Sequence, residues 1–221
     1  MKRPLGLLLI ALAALASYVA TRPSEFVIQR SALVDAPPGV VFANLEDFRR
    51  WESWSPWEKL DPQMERRYEG PSSGVGASYY WRGNRAVGEG RMTISKTKPP
   101  ERLTIRLESL GPFQATNQVV FDVTPDLASM TEVKWTMTGH NGFVAKAMGL
   151  FVNREATVSR DFDRGLAALK RVSEEQYAAA EELRRTADAA GVAEAAPVEG
   201  APAEGSAEAA PAPAEPAAAS D

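Results

Sequence analysis

The amino-acid sequence predicts an α+β domain, on two changes of hydrophobic period and one shift in composition. From about Met64 to His140, apolar and polar residues alternate, the pattern of half-buried strands. Beyond Gly142 the period lengthens to that of an amphipathic helix. After about Ala180 large apolar residues almost vanish. Residues 24–178 therefore form one core of about 155 residues, enough to bury an interior. An apolar leader (1–23) and an Ala/Pro/Glu-rich tail (179–221) flank it.

Each element has its own signal. Ser24–Val34 lacks Gly and Pro and carries β-branched residues, so it reads as a first strand. Ala36-Pro37-Pro38 ends it, and Val40, Val41, Leu45 and Phe48 then repeat at helical spacing. Trp51, Trp54 and Trp57 continue at intervals of three, a second helical turn broken by Pro56. Ala77, Tyr79, Trp81 and Gly83 share one strand face, and Gly83-Asn84 predicts a tight hairpin turn. The return strand puts Gly88, Gly90, Met92 and Ile94 on that face, with a bulge at Gly88-Glu89-Gly90. Leu103, Ile105 and Leu107 alternate next, then Asn117, Val119, Phe121 and Val123, then Val133, Trp135, Met137 and Gly139. Short turns between successive strands imply an antiparallel meander. Met148, Phe151, Val152, Val158, Phe162, Leu166 and Leu169 form the stripe of one long helix, with Gly165 where it approaches the sheet closely. The tail cannot bury enough apolar surface to offset its ordering entropy and is expected to be disordered.

Composition excludes several classes of function. The net charge is −4, but −7 of it falls after Arg185 and the rest of the chain carries +3. That balance does not suit nucleic-acid binding. There is no cysteine and one histidine, so neither a thiolate metal site nor a histidine-based one is expected, and no cofactor. At the N-terminus, Lys2 and Arg3 precede an uncharged run of eighteen residues, Pro4–Thr21. This is the short end of a membrane span, oriented by its flanking charges. Ala14-Leu15-Ala16 resembles a cleavage site, so an anchor and a removed signal peptide both fit. Either places the core on the periplasmic or exterior side of the membrane.

Four of the five tryptophans lie between Phe48 and Met92, beside six of the sixteen glycines. Tyr79, Trp81, Met92, Asn117, Trp135 and Met137 fall on inward strand faces. Ordinary core packing accounts for each one singly. Together with inward glycines at 88, 90 and 139, where a filled core would place branched residues, they are expected to line an apolar pocket with Asn117 as a polar group. Trp54 and Trp57 are expected at its mouth, as plug or gate, with Arg82 and Asn84 on a polar hairpin at the same rim. His140 alternates outward and reads as inert, as do Glu65, Glu69 and Glu89. No catalytic residue is assigned, because no pair of carboxylates has acid–base spacing and no nucleophile, phosphate-loop or zinc-protease motif occurs.

A family resemblance rests on residues spread through the core. Asp47-Phe48, Trp51, Trp54-Ser55-Pro56-Trp57, Asp61-Pro62 and Met64 resemble the opening signature of bacterial SRPBCC (START-like) proteins. Tyr68, Gly70, Gly74, Gly76, Tyr79, Trp81, Gly83-Asn84, Val87-Gly88 and Gly90-Arg91-Met92 continue it. So do Gly139, Met148, Asp161-Phe162, Gly165-Leu166 and Leu169-Lys170. The similarity is to the polyketide cyclase/dehydrase-like branch and covers Phe26 to Val172. It implies a helix-grip fold, a curved antiparallel sheet wrapped around the long C-terminal helix, with a cavity for apolar ligands between them. Three functions follow as expectations: binding of a lipid or acyl-type ligand, a cyclase or dehydratase using the same cavity, or an envelope interaction module acting through the tail. The first is preferred, since no proton-transfer group falls inside the expected pocket.

Overall fold

The computed structural model describes the backbone of residues 2–111, 114–126, 130–150 and 153–194, with side chains for all of these except 2–5, 7–9 and 191–194. Helix α1 (Lys2–Thr21) precedes strand β1 (Glu25–Val34). Helix α2 (Pro38–Glu46) and two 3-10 turns, Phe48–Ser53 and Pro56–Lys59, come next. Then follow β2 (Glu65–Glu69), β3 (Ser78–Arg82), β4 (Glu89–Lys98), β5 (Arg102–Gly111), β6 (Ala115–Pro125) and β7 (Thr131–His140). Two helices end the described chain, α3 (Phe143–Met148) and α4 (Arg154–Glu194). The seven strands form one sheet in the order β1-β7-β6-β5-β4-β3-β2. All its pairings are antiparallel. This is the helix-grip arrangement: a meander closed by the return of β1 onto β7, with α4 on the inner face.

Helix α2 is held at its C-terminus by tryptophan. The last carbonyls of a helix have no partner within it. Here Trp51 Nε1 donates to Leu45 O and Trp54 Nε1 to Asn44 O, each at 3.0 Å. A 3-10 turn brings residues three apart onto one side, so the Trp51/Trp54 spacing aims both indoles at the same helix end. Asn44 itself is fully buried, and its Nδ2 donates to Gln176 Oε1 of α4 at 2.8 Å.

Helix α4 meets the sheet through Phe162, Leu166, Leu169 and Val172, all buried. The Phe162 ring stacks on Trp135 at 4.1 Å. Gly165 permits this approach: a Cβ there would lie 2.8 Å from Trp135 Cζ3 and 3.1 Å from Pro56 Cδ. Trp135 is further enclosed by Trp54, Trp57 and Phe121.

Three expectations are corrected. Gly83-Asn84 is not a two-residue reversal. Residues 83–88 form a longer loop in which Gly83 N–H donates to Gly88 O and Gly88, at φ +67°, adopts a left-handed conformation. The stripe beyond Gly142 is two helices, α3 and α4. Met148 lies on the exposed side of α3 instead of on the sheet-facing stripe, and Phe151 and Val152 lie outside the described residues. Finally, helix continues past Ala180 to Glu194, because that stretch is rich in Ala, Glu, Leu and Arg, the strongest helix formers. The chain divides into units Met1–Glu182 and Leu183–Asp221. The described side chains of the second are exposed, and residues 195–221 of the expected disordered tail lie outside the description. Among the described residues no helix is long and apolar enough to cross a membrane. The side chains of Leu5, Leu7, Leu8 and Leu9 are not among them.

Two stability outcomes follow. Gly165→Val forces a branched side chain against an immobile indole and is expected to cost about 1–3 kcal/mol, as overpacking does. Urea unfolding followed by tryptophan fluorescence measures it. Trp54→Phe keeps an aromatic ring but loses the indole N–H and part of the buried volume, stranding the Asn44 carbonyl, for a loss of about 1–3 kcal/mol or more in the same assay.

Candidate functional site

The inner face of the sheet is organised in rows that cross the strands. The row Tyr68, Tyr79, Met92, Leu107, Asn117, Gly139 and Phe26 runs through all seven in pairing register. The next row holds Ile94, Ile105, Val119, Met137 and Ile28, and beyond it lie Leu103, Phe121 and Trp135. On β5, β6, β7 and β1, burial is greatest in the last of these rows and least in the first. Phe121 is 0 % exposed and Met137 9 %, while Leu107, Asn117, Gly139 and Phe26 are only half-buried. Helix α2 and the first 3-10 turn cover the inner face over Phe121, and among the described residues the less covered end is the one where β7 finishes and β1 begins.

This gradient sorts the residues expected to line a pocket. Tyr79 and Trp135 are packed core. Met92 and Met137 sit at the edge of the core, and Trp81 and Asn117 are half-buried toward the open end. The glycines do not leave empty space beneath them. A side chain at Gly90 would collide with the Trp81 ring, and one at Gly139 with Asn117 Oδ1 and, at 2.9 Å, the Phe26 ring. Each inward glycine makes room for a neighbour's large side chain. Gly88 belongs to the loop before β4.

Of the four expected mouth residues, only Trp57 lies at the boundary of the interior. It is half-buried, 5.8 Å from the Trp135 ring and 6.3 Å from Phe162. Trp54 is 1 % exposed and tied to α2, a fixed part of the core. Arg82 lies on the outer face, paired with Glu89 at 3.1 Å and placed over the Tyr80 ring. Asn84 fastens the β3–β4 loop: its backbone N–H donates to Asp61 Oδ2 at 2.7 Å and its side-chain amide to Leu60 O. His140 is exposed and 3.3 Å from Glu25.

The sequence reading missed a polar cluster at the β2–β3 edge. Glu58, carried on the second 3-10 turn, is buried, accepting Tyr79 Oη at 2.6 Å and Arg66 Nε at 2.8 Å. Tyr68 stacks on Tyr79 at 5.2 Å. Burial, followed by the nearby Glu52 and Glu58 charges, pushes the Tyr68 phenol up to about 12. Burial and then the hydrogen bond to Glu58 push Tyr79 well above the ordinary phenol range. Both carboxylate oxygens of Glu58 are engaged, so the cluster reads as a structural clamp on an edge strand. No strand period flags Glu58, because it sits in a 3-10 turn. Deeper in, the buried Nε1–H of Trp135 has no hydrogen-bond acceptor among the described residues.

Residues 25–174 match the family described as polyketide cyclase/dehydrase and lipid transport. The chain belongs to that family. Its fold is similar to a protein of Thermobifida fusca (21 % identity, TM-score 0.51), covering 67 % of this chain and 93 % of that one. It is also similar to a hypothetical protein of Helicobacter pylori (12 % identity, TM-score 0.53, 67 % and 88 % covered). A third likeness is to a protein of Chromobacterium violaceum (13 % identity, TM-score 0.50, 67 % and 96 % covered). At these identities the likeness is one of fold. No protein among the curated sequences matches the chain.

The clamp predicts an alkaline transition. Unfolded phenols lose their protons near pH 10, whereas Tyr68 and Tyr79 hold theirs to higher pH in the fold. Their contribution to stability is therefore intact below about pH 10 and is lost as pH rises toward about 12. Tyrosinate absorbance against pH is expected to include a fraction that appears only as circular dichroism is lost. In Glu58→Gln part of that fraction titrates earlier.

Proposed function

We propose that this domain holds an apolar small molecule, a lipid or acyl-type ligand, against the open end of the grip. The observation that carries the reading is the half-buried row Leu107, Asn117 and Phe26, bordered by Met92, Met137 and Trp81. These side chains make a mostly apolar surface with one amide on it, the composition of a small-molecule site. The family's description, which includes lipid transport, supports the same class of ligand. A cyclase or dehydratase reaction draws no support from the Glu58 cluster, whose oxygens are already hydrogen-bonded.

The domain works outside the cytoplasm in this reading, tethered by α1. The uncharged eighteen-residue run Pro4–Thr21 after Lys2 and Arg3 supports the tether. So does the exposure of Ile10, Leu12, Leu15 and Tyr18 on α1.

A fluorescent fatty-acyl probe tests the site. The wild-type chain is expected to bind it saturably. Leu107→Glu, a charge on a half-buried position, is expected to weaken binding at least about tenfold, or about 1.4 kcal/mol. Lys96→Glu, on the exposed end of β4, leaves it unchanged. Equal affinity in Leu107→Glu and wild type removes this surface from consideration.

A further inference from the structure

We propose that α3 is a lipid-contacting helix that rests on the membrane surface beside the end of α1. The inference builds on the tether reading and adds a surface that reading does not contain. Helix α3 exposes Phe143, Val144 and Met148, at 53, 56 and 41 %. At about 100° per residue these fall, with Ala147, within an arc of about 140° on one side. A six-residue helix with no buried residue has no reason of its own to gather three large apolar groups on one side.

Two observations say what covers them. The first is position. Helix α3 sits against the last turn of α1, where Lys146 Nζ donates to Ala20 O at 3.4 Å. It therefore lies at the level where an anchoring helix leaves the hydrocarbon. The second is the chemistry of that level. Tyr18 is exposed, and the Arg22 guanidinium lies over its ring at 5.6 Å. An aromatic ring and a basic side chain at the end of an apolar helix are the usual occupants of the membrane–water boundary. Lys146 adds a second positive charge there, suited to anionic headgroups.

The same end of the domain carries the open end of the grip. Glu25 of β1 pairs with His140 of β7, one residue beyond the Phe26–Gly139 pair that ends the half-buried row. Docking α3 on lipid thus turns the apolar surface toward the bilayer, from which a lipid would be collected or delivered.

The chain lacks cysteine, so single-cysteine probes report cleanly. Full-length protein carrying an environment-sensitive dye at Val144→Cys, Leu12→Cys or Lys96→Cys would be reconstituted into vesicles of phosphatidylcholine and phosphatidylglycerol. Spin-labelled lipids then quench by depth. The proposal expects the Val144 dye to be quenched by a headgroup-level label, with emission raised several-fold over the Lys96 dye. A Val144 dye as water-exposed as the Lys96 dye overturns it. The Leu12 dye decides the tether separately: deep quenching there with an aqueous Val144 dye leaves the tether standing and removes α3 from the membrane. If the Leu12 dye is aqueous the tether falls, and the Val144 signal still decides whether α3 touches lipid.

Discussion

The contact between Trp135 and α4 sets the rest of this structure. One indole is stacked on Phe162, overlaid by Gly165 and edged by Trp54, Trp57 and Phe121. Aromatic groups in such numbers bury large areas, and their tilted and edge-on geometries add to what area alone supplies. The helix comes this close because residue 165 has no side chain. Pulling α4 onto β7 closes one end of the grip. The half-buried side chains Leu107, Asn117 and Phe26 lie where β7 finishes and β1 begins.

That constraint decides how a ligand can be held. The spaces left by Gly90 and Gly139 are taken by Trp81, Asn117 and Phe26. In the proposed reading a ligand lies across the half-buried row, and Trp57 stands half-buried beside the aromatic cluster. The polar clamp of Glu58, Arg66 and Tyr79 fixes the edge strand β2 and its neighbour β3, which form one flank of this surface. Stability and binding therefore use different parts of one aromatic set.

Much of this was legible in the sequence. Alternation identified the inward residues of β3 to β7, because a strand packed on one side must place every second residue in the core. The glycine at 165 and the 51/54/57 spacing marked close approach and helical turns. What failed had physical causes. An inward glycine signals room in a backbone, but only the neighbours decide whether a ring fills it. Trp54 and Trp57 look equivalent in sequence, yet one indole caps α2 and the other borders the interior. Glu58 carried no periodic signal. Composition marked residues 179–194 as too polar to fold, but helix propensity needs no core, and the helix continues to Glu194.

The central claim is that the open end of this grip carries an apolar molecule. Native mass spectrometry of the full chain, released gently from the membranes of the cells that made it, tests that claim most directly. The account predicts a bound species that extracts into organic solvent and is lost in the Leu107→Glu chain. A bare chain mass, unchanged after incubation with a panel of lipids and fatty acids, would contradict it.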